Sequence, residues 1–151
     1  MLVIQKATVK DARRISYLIQ KNTDSNPNNY TKEQITAWKR CNTPAKIKEL
    51  LKSRETFCAF DKHKLVGTIG LKSNEIVGFY ISFSQRKKGI GQQLFDFIEN
   101  YMIQKKIDTI VLTATPSALK FYKKNGFSIV TPIKVAIGDV IYQEFNMIKK
   151  L

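Results

Sequence analysis

The 151 residues amount to one domain, 43% hydrophobic and long enough to bury about two thirds of the unfolded chain's surface in a single core. Its 26 Lys and Arg against 12 Asp and Glu give a net charge of +14, which suits an anionic ligand and argues against a polycationic one, because no run of acids exists to hold it. No apolar run approaches the roughly 18–20 residues of a membrane span, the opening Met1 to Lys6 is too short for a signal sequence, and Cys41 and Cys58 have no ligand partners nearby, so a cytoplasmic chain with reduced thiols and no metal is expected.

In chain order, Leu2 to Lys6 reads as a strand, and Thr8 with Asp11 caps a helix whose apolar stripe is Ala12, Ile15, Leu18 and Ile19. Lys21 to Tyr30, rich in Asn, reads as the one clear loop. Thr31 and Gln34 cap a second helix with Ile35 and Trp38 inward, and Thr43-Pro44 opens a third through Ile47, Leu50 and Leu51. Thr56 to Phe60 and Leu65 to Leu71 read as a hairpin, with Gly67 and Gly70 marking a bulge or a close backbone contact.

Lys72-Ser73-Asn74 then turns the chain into its most informative stretch. Ile76 to Ile81 is a nearly unbroken apolar run, suited to a strand buried on both faces. Arg86-Lys87-Lys88-Gly89-Ile90-Gly91 turns it, and Leu94, Phe97, Ile98 and Tyr101 carry the face of a helix ending near Lys106. A helix N-terminus presents unpaired N–H groups and partial positive charge, and glycines let a ligand come close, so this turn suits phosphate. Two glycines at this spacing fit neither the three-glycine dinucleotide fingerprint nor the Gly-Lys-Ser/Thr loop of nucleoside triphosphatases. Thr109 to Thr113 is the next strand, parallel to the central one by the right-handed crossover rule. Pro116 opens a helix stopped by Asn125-Gly126, Phe127 to Ile137 and Val140 to Ile148 form a last hairpin, and Lys149-Lys150-Leu151 reads as a tail.

The pattern Arg86-x-x-Gly89-x-Gly91 after a buried strand resembles the acyl-CoA signature of the GNAT acetyltransferase superfamily, and Ala118 to Phe127 resembles that family's A-x-x-F-Y-x-x-x-G-F segment. The order of elements matches the family layout along the whole chain. The resemblance implies a single α/β (α+β) domain over residues 1–151. Its sheet would be mixed, mostly antiparallel and seven-stranded, flanked by helices, with a splayed central parallel pair.

It further implies an N-acetyltransferase that moves an acetyl group from acetyl-CoA, its co-substrate, to a primary amine. The diphosphate would lie on the backbone of Arg86, Lys87, Lys88, Gly89, Ile90, Gly91 and Gln92. The pantetheine arm would run along Tyr80, Ile81 and Phe83, near Thr113 and Phe121. Thr113 stands where many relatives carry Asn. Tyr122 matches the tyrosine that protonates the departing thiolate, and Glu75 the glutamate of the histone-acetylating branch that serves as base, with a water chain as the alternative and Glu33 as a weaker candidate. The amine acceptor, small molecule or peptide, is not legible, nor is the choice between acetyl and longer acyl groups. A homodimer stays open. Two further readings are a non-catalytic CoA-binding module and a basic nucleic-acid-binding domain; 21 of the 26 basic residues are scattered Lys and no helix-pair, zinc or aromatic-basic motif accompanies them, so nucleic acid is disfavoured.

Overall fold

The strand-forming segments assemble, in a computed structural model that describes residues 2–25 and 30–151, into one seven-stranded sheet. β1 (Leu2–Lys6), β2 (Glu55–Asp61), β3 (Lys64–Lys72) and β4 (Glu75–Ile81) lie antiparallel in sequence order. β5 (Thr109–Ala114) follows parallel to β4, and the hairpin of β6 (Ser128–Ile137) and β7 (Val140–Lys150) inserts β7 against β5, giving the order β1-β2-β3-β4-β5-β7-β6.

The sheet buries both faces because its strands alternate apolar residues against helices on either side. On one face α4 (Ile90–Gln104) and α5 (Leu119–Lys124) pack Leu94, Phe95, Ile98, Met102 and Tyr122 onto Phe57, Ile69, Ile76, Ile110, Leu112 and Met147. On the other, α1 (Ala12–Asp24) and α3 (Pro44–Ser53) pack Ile15, Leu18, Ile19 and Ile47 onto Cys58 and Phe60. α2 (Lys32–Cys41) leans on β7, where the Trp38 and Tyr142 rings lie 5.7 Å apart and the Tyr142 hydroxyl donates to the Gln34 carbonyl. The predicted caps of the two short helices form: Thr31 and Gln34 exchange bonds of 3.0 and 3.1 Å, and Thr43 accepts from the Lys46 amide at 3.3 Å with Pro44 in the first turn. Such caps contribute about 1 kcal/mol each. No helix among the described residues is long and apolar enough to cross a membrane.

Three expectations need correction. The loop expected from Lys21 begins later, since α1 runs on to Asp24. Asn22 is buried and bonded to the backbone of Ile81 at the end of β4 and of Phe83 just beyond it, a tertiary reward that outweighs the local turn preference of Asn and Asp; residues 26–29 lie outside the described part. Lys149 and Lys150 are not a tail. They complete β7 opposite Ile110 and Thr109, and the Lys149 ammonium meets Glu99 of α4 at 2.6 Å. Lastly, β4 is not buried on both faces: of its residues only Ile76 is fully buried, because β5 leaves its side.

The bulge expected near Gly67 and Gly70 exists on two strands. Val66 of β3 is the extra residue opposite Ala59 and Phe60, and the β3–β4 register slips so that β4 carries one extra residue opposite Thr68 to Gly70. Gly78 lies in that second bulge at φ +57, a conformation glycine adopts without strain.

Candidate active site

Parallel strands that stay paired leave no space between them. β4 and β5 pair only at Glu75 and Val111, with the Val111 amide on the Asn74 carbonyl at 3.1 Å and the Asn74 side chain on the Thr109 carbonyl at 3.1 Å. Beyond that point β5 is bonded to β7 alone, so the C-terminal half of β4 has an open edge and the two strands form a V. The wedge opens toward the glycine turn.

At the open end, the turn holds its backbone outward. Arg86 donates its amide to the Phe83 carbonyl and Gln93 to that of Gly89, while the amides of residues 87–92 have no backbone or cap partner among the described residues. Gly89 sits at φ +78, and a Cβ there would meet nothing within 4 Å. The basic side chains do not fold onto these amides. The Arg86 guanidinium stacks on Phe83 at 4.9 Å and Lys88 reaches Gln85 at 3.3 Å, leaving Lys87 exposed beside them. Gln92 turns its side chain to Asn125 and Asp96, and Phe121 lies near Gly91. A diphosphate therefore finds free donors and room, which is the fit such a group requires.

Along the open edge, two of the three expected backbone positions are already engaged. Asn22 of α1 donates to the Ile81 carbonyl at 2.7 Å and accepts from the Phe83 amide at 2.9 Å. The Ser82 amide bonds the Val66 carbonyl of β3 at 2.8 Å, so strand alternation turns the Ile81 N–H the other way, to the open edge. Ile81 is the member of the set left with a free donor. Nothing in the sequence motifs marks Asn22; only its buried position in α1 does.

Tyr122 stands on the α5 side of the V. Its ring lies 6.4 Å from Phe79, 5.4 Å from Phe121 and 5.6 Å from Phe127, three tilted contacts that fix its direction. Its hydroxyl makes no hydrogen bond among the described residues, yet it is not one of the sealed, unpartnered oxygens. Burial pushes its acidity far down, so the proton stays on the phenol through the physiological range.

On the opposite face Tyr80 points toward α1 and α3, and burial raises its pKa too, with Arg54, Glu144, Tyr30 and Tyr122 all near enough to act on it. Glu144 of β7 is 8% exposed, and desolvation holds its carboxyl above the usual carboxylate range. In register it lies one residue past the Phe145–Ala114 pair, at the mouth of the V. Glu75, by contrast, forms the closed vertex with Val111 and is four residues from Phe79, roughly 13 Å along the strand. Glu33 is an exposed acid in the first turn of α2. The carboxylate that the fold brings near Tyr80 and Tyr30 is thus Glu144, which no sequence motif marks because it sits in an ordinary alternating strand. Thr113 donates to Asn146 Oδ1 at 3.2 Å, so a side-chain amide from the neighbouring strand stands beside the threonine.

A hollow of about 650 Å³ lies at the closed end, its basic lining made by Lys6, Lys52, Arg54, Lys72 and Lys105. Glu55 occupies its charge: it accepts from Tyr101 and Lys105 at 2.9 and 3.1 Å, and these bonds hold its pKa down against its own desolvation.

A family model described as an acetyltransferase (GNAT) domain matches residues 26–142. Among solved structures, a GCN5-related N-acetyltransferase from Rhodopseudomonas palustris superposes with a TM-score of 0.92 at 21% identity, over 99% of this chain and 95% of that one. The PaiA N-acetyltransferase of Thermoplasma acidophilum, solved in complex with coenzyme A, gives 0.82 at 25% identity over 100% and 99%. An aminoglycoside 6'-N-acetyltransferase complexed with coenzyme A gives 0.71 at 19% over 98% and 97%. No curated protein sequence matches the chain.

Proposed function

The chain belongs to the GNAT acetyltransferase family, and on that premise we propose that it transfers an acetyl group from acetyl-CoA to a primary amine by direct attack, with Tyr122 as general acid and Glu144, rather than Glu75, as general base. The amides of residues 87–92 bind the diphosphate, helped by the field of Arg86, Lys87 and Lys88, and the open edge of β4 takes the pantetheine arm as an added strand. The thioester carbonyl then lies at the β4 edge, where the Ile81 N–H polarises it. Glu144 takes a proton from the incoming ammonium, directly or through water, so that a neutral nitrogen attacks; a C–N bond forms as the C–S bond breaks. Tyr122 gives its proton to the departing sulfur, and the second proton of the attacking nitrogen, lost as the amide forms, restores the phenol.

The observation that carries this reading is the V itself: one pairing between β4 and β5, then separation, with unpaired amides at the open end and a phenol on the wall. The PaiA relative, solved with coenzyme A at 25% identity, supports it. Titration calorimetry with acetyl-CoA, followed by thiol release over a panel of amines, tests it. Binding at micromolar to submillimolar concentration and release dependent on an amine are expected. Binding without release for any amine would leave a CoA-binding module, and absence of binding at millimolar concentration would end the proposal.

A further inference from the structure

An arginine whose Nε is sealed from water without a partner is costly, so a fold that holds one half-buried across its sheet is informative. Arg54 follows α3 and opens onto β2. Its side chain crosses the α1/α3 face of the sheet along a path cleared by two glycines. A Cβ on Gly70 would stand 3.5 Å from Arg54 Cδ, and one on the bulged Gly78 only 2.8 Å from Nη2 and 3.2 Å from Cζ. The guanidinium therefore rests on the β4 bulge, beside the open edge. Its Nε is sealed from solvent with no hydrogen-bond partner, and the side chain makes no ion pair or hydrogen bond among the described residues.

A purely structural filler would not be built this way. An apolar side chain would occupy the same track without desolvating a charge, and this protein already carries +14. Burial weakens the protonation of Arg54, with Tyr80 the one group that opposes this, and no carboxylate among the described residues pairs with it. Tyr80 is also acted on by Glu144, so one phenol lies within electrostatic reach of both a cationic and an anionic group.

We infer that the acceptor is an amine that also carries a carboxylate, an amino acid or a short peptide, whose carboxylate pairs with Arg54 while its amino group is deprotonated on the Glu144 side. The inference rests on the acetyl-transfer reading above and narrows it. An Arg fork binds a carboxylate through two parallel N–H···O bonds, and such a contact discriminates sharply against an analogue that lacks the charge.

The test pairs free amino acids and dipeptides with their methyl esters at fixed acetyl-CoA and follows thiol release for the wild-type chain, Arg54→Lys and Arg54→Met. At least one acid is expected to exceed its ester about ten-fold or more in kcat/KM. Arg54→Met should bring that ratio near one, Arg54→Lys should retain part of it, and stabilisation of all three proteins by acetyl-CoA should be equal. Turnover of esters or simple amines as fast as acids in the wild type overturns the inference and leaves acetyl transfer standing. An acid preference that survives in Arg54→Met also overturns it. Release with no amine of either kind overturns both. The wild-type comparison decides even where a variant fails to fold.

Discussion

At the scale of single residues, the proposed chemistry depends on two groups whose ordinary acidity burial has moved in the same direction for different ends. The Tyr122 hydroxyl has no hydrogen bond to lose among the described residues, so Tyr122→Phe is expected to leave thermal stability within about 1 kcal/mol of wild type. Turnover should fall about 100-fold with acetyl-CoA affinity retained. Calorimetry, a melting curve and steady-state rates check this together; unchanged turnover would remove the acid role. Glu144 is raised by desolvation, so the folded chain favours its protonated form. That preference stabilises below the ordinary carboxylate pKa of about 4.3 and is lost as pH rises through the raised value, where ionised Glu144 is a cost to folding. Glu144→Gln should therefore melt higher than wild type near neutral pH, the gap closing on acidification. The same variant should lose most activity, and the acidic limb of kcat/KM, which should lie above the ordinary carboxylate range in wild type, should flatten. A limb identical in both proteins would point to another base. The sequence offers Tyr122 as a candidate because its neighbours form a motif, and does not offer Glu144, since burial of a strand carboxylate is decided by what packs on it.

At the scale of elements, the two glycines of the turn are unequal. Gly89 has φ +78 and open space where a Cβ would point, while Gly91 has no left-handed angle and its Cβ would meet Ile81 at an ordinary 3.5 Å. Gly89→Ala should cost roughly 1–2 kcal/mol of stability through its backbone conformation and place a methyl where the diphosphate lies, lowering acetyl-CoA affinity about ten-fold or more. Gly91→Ala should fold normally, and calorimetry on both separates the two positions. The strand-turn-helix unit was readable because period, glycines and charge agree over consecutive residues. The end of β7 was not. Two lysines before a terminal leucine look solvated, yet Lys149 is held by Glu99 at 2.6 Å and lies over the Phe95 ring at 5.6 Å. With both partners largely shielded from solvent, Lys149→Ala should lower stability by about 1–2 kcal/mol, a drop in melting temperature of about 2–8 °C. A shift below 1 °C would return the segment to a tail.

At the scale of the whole molecule, the order of elements was legible throughout, because strands and helices alternate with clear caps and stops. The separation of β4 and β5 is implied only by the family resemblance and not by the residues themselves: the apolar run of β4 predicts a strand covered on both sides, and the loss of β5 pairing after Glu75 exposes it. Apolar content records what a strand can be buried against, including a ligand, and not whether protein supplies it. The net charge of +14 belongs to this scale as well. Lysines spread over the surface screen one another's effect in salt, with a Debye length falling from about 30 Å at 0.01 M to about 8 Å at 0.15 M. A polyanionic donor should therefore be drawn in faster at low ionic strength. We expect kcat/KM for acetyl-CoA to fall roughly 3- to 10-fold between 20 and 300 mM salt while kcat stays nearly constant. A charged acceptor held by both Arg54 and Glu144 is neutral overall, so its own kcat/KM should change less than the donor's over the same range. Equal salt slopes for donor and acceptor would mean that the field acts on the protein's stability or on the chemistry rather than on encounter, and flat slopes for both would reduce the charge to solvated surface.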